Sequence, residues 1–192
     1  VVKGLHRVYC SRGCIGLCIT GNTIIHTIEG DVPIKNLVGR NIKVLTRNPQ
    51  THMPIYSDAI NIRKVQEDAE IVRVHFTDGS FIDCTPDHKF KVFKSKNKFI
   101  TETEWDVEAI DLKPKQQVRA VSFTNSKDRI YVSTRRDISI ARDRLVMKTI
   151  IGRPLEKNEW VHHIDKNPLN DSYTNLKLID NKIYKTQLLY YF

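Results

Sequence analysis

Residues 72–90 read VRVHFTDGSFIDCTPDHKF. Apolar and polar residues alternate on both sides of Asp78-Gly79, which predicts two strands joined by a tight turn with positive φ angles. The second strand runs into Pro86, which cannot donate to a ladder, so the chain must turn there. Thr85 and His88 flank that turn and offer a hydroxyl and an imidazole to a nearby reaction. Upstream, residues 18–27 read CITGNTIIHT, with Cys18 heading an apolar run. A free cysteine is most often a small buried core residue. At the mouth of a strand, just ahead of a turn, its thiol is instead a candidate reactive group.

The surrounding chain is β-rich to about residue 123. NTIIHTI, NIKVLTR, AINIRKVQ and QQVRAVSF are short apolar or alternating runs separated by Gly, Pro, Asn and Asp. VEAIDLKPKQQV holds one helical turn stopped before Pro114. TNSKDR is polar and turn-prone, which puts a linker at 124–128. Beyond it, RIYVSTRRDISIA predicts two short strands. RDRLVMKTIIG predicts a helix with Leu145, Val146, Thr149 and Ile150 on one face, stopped by Gly152. WVHHIDKNPLND reads as a strand and a loop, and a second helix is expected from Ser172 as N-cap.

The 192 residues suffice for one core or two small domains. Net charge is +9, and from residue 125 onward there are 13 Lys/Arg against 8 Asp/Glu. A basic tail domain is compatible with a nucleic-acid partner and equally with a solvated basic surface. No apolar run approaches the ~20 residues that cross a bilayer, so no membrane partner is expected. The opening residues VVKGLHRVYCSRG lack the apolar stretch of a signal peptide. They also lack an initiator Met, as in a fragment or processed product. Cys10, Cys14, Cys18 and Cys84 make a poor disulfide framework, which favours a reducing cytoplasm.

CITGNTIIHTIEGDVPIKNLVG, VRVHFTDGSFIDCTPDHKF and WDVEAIDLKPKQQV together resemble the N-terminal splicing block of inteins, the Hint family, over residues 18–121. The resemblance implies a mainly β, horseshoe-like Hint domain over 18–123, incomplete at its C-terminal part, with residues 1–17 as host sequence, the N-extein. It implies that Cys18 attacks the carbonyl of Leu17 in an N–S acyl shift, that His88 delivers a proton to the amide nitrogen, and that Thr85 hydrogen-bonds the scissile unit. No cofactor is expected for that step. The chain ends KTQLLYYF, without the His-Asn pair on which inteins finish. It is therefore expected to be either the N-terminal piece of a split or truncated intein, with a separate C-terminal intein fragment as partner beside the host protein, or a relic of a splicing half. A competing reading gives Cys10, Cys14 and Cys18, with His6, to zinc in a non-enzymatic module.

RDRLVMKTIIGRPLEKNEWVHHID and the loop after it resemble HNH endonucleases of phage introns and inteins, over about 129–180. This implies a small α+β, ββα-metal domain over 129–192. By the resemblance His163 is the general base, His162 a metal ligand, and Asn175 the residue that orients the base through its loop. The implied cofactor is a divalent metal, Mg²⁺ first, with Mn²⁺ or Zn²⁺ as substitutes, and the implied partner is double-stranded DNA. Arg135, Arg136, Arg142, Arg144, Lys148 and Lys166 are candidate phosphate contacts. Two positions depart from the family: Tyr184 stands where a second metal ligand is expected, with Asn181 close by, and Asp143 stands where a histidine is frequent. Such a protein is a mobile element that cuts or nicks DNA; the alternative is a degenerate one whose HNH part only binds DNA.

Overall fold

The computed structural model describes residues 8–10, 18–94, 103–135 and 138–180. In chain order the strands open with β1 (Val8–Cys10), β2 (Ile19–Thr20), β3 (Ile24–Thr27), β4 (Gly30–Pro33), β5 (Ile42–Arg47) and β6 (Pro54–Ala59). They continue as β7 (Arg63–Gln66), β8 (Val72–His75), β9 (Phe81–Cys84), β10 (Lys89–Lys94), β11 (Thr103–Glu108) and β12 (Gln117–Val118). The remainder are β13 (Ser122–Asn125), β14 (Ile130–Arg135), β15 (Ile138–Ala141), β16 (Glu159–His163) and β17 (Leu176–Asp180), with one α-helix among the described residues, α1 (Arg142–Ile151). They form five small antiparallel sheets, ordered β7-β1-β2-β9-β8, β11-β10-β12, β13-β14-β15, β16-β17 and β4-β3-β5-β6. No described helix is long and apolar enough to cross a membrane.

The chain divides into two compact units that interleave in sequence. The first holds residues 1–25, 32–42 and 58–120; the second holds 26–31, 43–57 and 121–192. This division differs from the linear boundary expected at 124–128. Residues 122–125 are β13, paired with β14, and Ser126 N–H donates to Arg129 O at 2.9 Å, so the polar stretch is a hairpin turn.

In the first unit, β8 and β9 form the hairpin expected from alternation, Val72 facing Cys84 and His75 facing Phe81. Only Gly79, at φ 85°, has the positive φ expected of both turn residues. Cys84, Phe90 and Ala109 are buried together, with Ile19, Val72, Val74, Phe76, Ile82, Leu112 and Val118 packed around them. Cys18 lies in a smaller cluster with Ala69 and Ile71.

In the second unit, Leu145, Val146 and Met147 of α1 pack with Tyr56 and Leu176. Ile28, Leu45, Ile140, Val161 and Leu178 close that core, so the excursions 26–31 and 43–57 join it through apolar contact. Tyr173 N–H also donates to Ile28 O at 3.0 Å. Gly152 caps α1 at φ 73°, as its position predicts, whereas Ile150, expected on one face with Leu145 and Val146, is 47% exposed while those two are buried. The helix expected from Ser172 is absent over 172–180. Tyr173–Asn175 is a 3₁₀ turn and Leu176–Asp180 pairs residue for residue with Glu159–His163, a ladder that the alternation of LKLID suits better than a helix. The rest of that expected helix lies outside the described residues.

Two carboxylates tie the second unit together. Glu159 takes a two-pronged ion pair from Arg153, at 2.7 and 2.5 Å, and the Glu156 N–H at 2.7 Å; these hold its pKa at about 2. For Asp31, burial opposes the charge, but His26 Nδ1 at 2.9 Å and Arg142 at 2.6 Å outweigh it and hold the pKa at about 2. Both folded values lie below the ordinary 3.8 and 4.5, so the stabilisation is full above about pH 4.5 and is lost as pH falls toward 2. Acid titration of the unfolding midpoint in Asp31→Asn and Glu159→Gln is expected to flatten that limb.

Candidate functional site

The register of β2 against β9 builds the first constellation. Ile19 faces Cys84, so the next pair along, Cys18 and Thr85, shares the opposite face of the sheet. Thr85 N–H donates to Cys18 O at 3.0 Å. In return the Cys18 N–H approaches Thr85 Oγ1 at 3.4 Å, and that hydroxyl reaches Cys18 O at 3.5 Å. Thr85 therefore grips the backbone of Cys18 on both sides of its Cα, at the nitrogen of the Leu17–Cys18 bond and at the carbonyl of the next one.

The turn at Pro86 brings His88 to the same place, with His88 N–H donating to Thr85 O at 3.0 Å. Burial pushes the His88 imidazole below its ordinary pKa, against the pull of Asp87 and of a hydrogen bond with the Cys18 backbone. Its Nδ1 is buried without a hydrogen-bond partner. Neutral at pH 7, the ring can accept a proton, and once charged it is a stronger acid than an exposed histidine.

Cys18 is 6% exposed, so the reading of a small buried core residue fits its burial; the hydroxyl and imidazole beside it are what that reading leaves unexplained. Cys84 does not compete as a nucleophile: burial and the neighbouring Asp83 and Asp87 push its thiol up to about 12. Cys10 is described only as backbone in β1, while His6, Cys14 and Leu17 lie outside the described residues.

The second constellation lies on β16 and the loop after it. His162 and His163 alternate, His162 exposed and His163 nearly buried. His163 Nε2 is 2.8 Å from Asp171 Oδ1, with side chains 11% and 1% exposed. Asp171 is a residue that sequence reasoning passed over, and no local spacing singles it out. Burial pushes the Asp171 carboxyl up, the bond to His163 pulls it down, and nearby Asp143 pushes it up again.

Asn175 clamps the loop between them. Its Nδ2 donates to Asp165 Oδ1 and to Asn170 O, both at 2.8 Å, and its Oδ1 accepts the Asp165 N–H at 3.0 Å. The residue closes a 3₁₀ turn just ahead of β17 and does not enter a helix, yet its amide spans the loop that follows His163.

The candidate phosphate contacts fare unequally. Arg142 is 5% exposed and engaged with Asp31 and Tyr56, so its charge is used inside the unit. Arg144 donates to Glu159 O at 3.2 Å and, with Lys148, lines a shallow cavity of about 130 Å³ beside Ile140, Leu145, Pro154 and Leu155. Lys148 and Lys166 are exposed; for Arg135 only the backbone is described, and Arg136 lies outside the described residues. Asp143 is fully buried, 3.2 Å from Arg129, and its Oδ1 accepts the Arg144 N–H, which gives it a structural place in the first turn of α1.

Among the described residues no group of three or more His, Cys, Asp or Glu side chains is placed to hold a metal. The exposed imidazole of His162 is by itself a poor donor set for Mg²⁺, which prefers oxygen ligands. Asn181 and Tyr184 lie outside the described residues.

Lys166 has φ 61°, a left-handed conformation that costs a side-chain-bearing residue about 1 kcal/mol. Lys166→Gly is expected to stabilise the chain by roughly that amount. If the ammonium meets a phosphate, the same variant lowers the salt slope of DNA binding by about one. Thermal unfolding and a salt titration of binding read the two effects separately.

The chain is similar to the ribonucleoside-diphosphate reductase large subunit of Invertebrate iridescent virus 6. The two are 31% identical over 110 residues, which cover 53% of this chain and 11% of the reductase. No family model matches the chain. No solved structure matches it.

Proposed function

We propose that the chain is an N-terminal intein splicing block of Hint type that opens the Leu17–Cys18 bond through its own side chains. The observation that carries this reading is the grip of Thr85 on the amide nitrogen and carbonyl of Cys18. In the reaction, His88 takes the Cys18 thiol proton and the sulfur attacks the Leu17 carbonyl carbon. The C–S bond forms, the C–N bond breaks, and His88 returns the proton to the departing nitrogen. Thr85 holds the N–H, and with it the direction in which the nitrogen lone pair emerges as the bond opens. Burial of Cys18 keeps water from the thioester.

The similarity to only 11% of a reductase large subunit is what an element lodged within a larger host protein would give. A host of that class and a reducing intracellular setting complete the reading. The test is the intact mass of the chain before and after incubation with excess dithiothreitol at neutral pH. Loss of residues 1–17 that is abolished in Cys18→Ala supports the acyl shift. An unchanged mass, with or without an added C-terminal fragment, overturns it.

A second activity is favoured by the Asn175 clamp and the His163–Asp171 pair: an HNH-type site that binds and nicks double-stranded DNA. His163 acts there as base, with its Nε2 held by Asp171. His162 and a divalent ion belong to this proposal, the ion supplying charge at the scissile phosphate. Metal-dependent nicking of supercoiled DNA that disappears in His163→Ala supports a nuclease. Binding without nicking leaves the degenerate alternative, and stoichiometric zinc on the purified chain would favour the zinc module.

A further inference from the structure

The segment upstream of Cys18 is part of a sheet. β1 lies between β2 and β7, antiparallel to both, with Val8 facing Thr20 and Gln66, and Tyr9 facing Ile19 and Lys64. On its other side Ile19 faces Cys84, one residue before Thr85. The short strand that follows the nucleophile is thus held between the upstream segment and the strand that ends at Thr85. Take β1 away, and β7 loses its neighbour in this sheet while β2 gains an open edge.

We propose that the slot between β2 and β7 is a binding site for an extended peptide, namely the segment upstream of Cys18, captured through its backbone. This rests on the reading of Cys18 as nucleophile and extends it in two ways. Capture of residues 8–10 holds β2 in register with β9, and with it the Leu17–Cys18 bond against Thr85. Because main-chain hydrogen bonds do the holding, they outlast the covalent bond: after a thiol displaces Cys18 Sγ from the thioester, the released 1–17 peptide stays docked. Recognition is tolerant of side-chain identity and intolerant of a missing N–H.

The experiment uses the full chain, with Tyr9→Pro and Tyr9→Thr beside the parent. Hydrogen exchange is read at residues 19–20 and 63–66, with the β10–β11 ladder as the control for folding. Dithiothreitol-induced cleavage is followed by intact mass and by size exclusion. In the parent, 19–20 and 63–66 are expected to be protected, and the cleaved 1–17 peptide is expected to co-elute with the remainder. Tyr9→Pro removes a ladder donor from a strand paired on both sides, so protection is lost and cleavage slows by roughly tenfold or more, while Tyr9→Thr keeps both. Unchanged protection or an unchanged rate in Tyr9→Pro overturns the proposal, as does prompt release of the peptide from the parent. If the proline variant loses the β10–β11 control as well, co-elution in the parent decides. Absence of any cleavage in the parent sinks the Cys18 reading instead, and the exchange data still judge the slot.

Discussion

Thr85→Val is expected to slow thiol-induced release of residues 1–17 by roughly 10²-fold while leaving the fold in place. Valine matches threonine in shape, and the backbone bond from residue 85 to Cys18 O, at 3.0 Å, does not involve the side chain. What disappears is the hydroxyl that accepts the Cys18 N–H at 3.4 Å and reaches its carbonyl at 3.5 Å. The nitrogen can then leave with its lone pair turned away from the incoming proton. The pH profile tests the partner role. His88 must be neutral to take the thiol proton, and burial pushes its pKa below 6.5. The rate should therefore fall as pH drops through a point below 6.5, and this limb should vanish in His88→Gln. A limb centred above 6.5 would show that the base is not a buried histidine.

Asn175→Ala is expected to destabilise the chain by about 2–4 kcal/mol and to abolish DNA nicking. The side chain is 8% exposed and satisfies the Asp165 N–H, the Asp165 carboxylate and the Asn170 carbonyl at once. Truncation removes three hydrogen bonds made by one buried amide, although Asp165 itself is exposed, and frees the loop between His163 and Asp171. Asn175→Asp should be no better than alanine. It sets a second carboxylate against Asp165, whose own pKa is already lowered by hydrogen bonds from Asn170 and Asn167. Thermal unfolding together with nicking of supercoiled DNA gives the two readouts. An aspartate variant as stable as the parent would show that the Nδ2 bonds do not hold the loop.

Elements set by local chemistry were legible in advance. The β8–β9 hairpin follows from alternation around Asp78-Gly79, and α1 ends where Gly152 can adopt a left-handed φ. The region after Ser172 misled because a serine ahead of polar residues is also how a helix opens. The ladder with β16 prevailed, since five facing pairs from Glu159↔Asp180 to His163↔Leu176 bury Leu176 and Leu178 against α1. Propensity is a weak prior beside a shared core.

Residue type and local pattern mark Cys18, Thr85, His88 and His163 as chemically capable groups at strand ends and turns, while Asn175 is expected to enter a helix and draws its role from the HNH resemblance. Tertiary structure decided which of them meet. The Ile19↔Cys84 register puts Cys18 and Thr85 on one face, and a shift of one residue would have sent them to opposite faces. Folding also buried Arg142 against Asp31, far away in the chain, and so removed a cation that composition assigns to the surface. It gave His163 an aspartate partner that no spacing announces. The interleaved units arise in the same way, because Ile28, Leu45 and Tyr56 join the core around α1 through contacts between segments distant in sequence. Local sequence carries backbone preference; which buried surfaces match is a property of the folded chain as a whole.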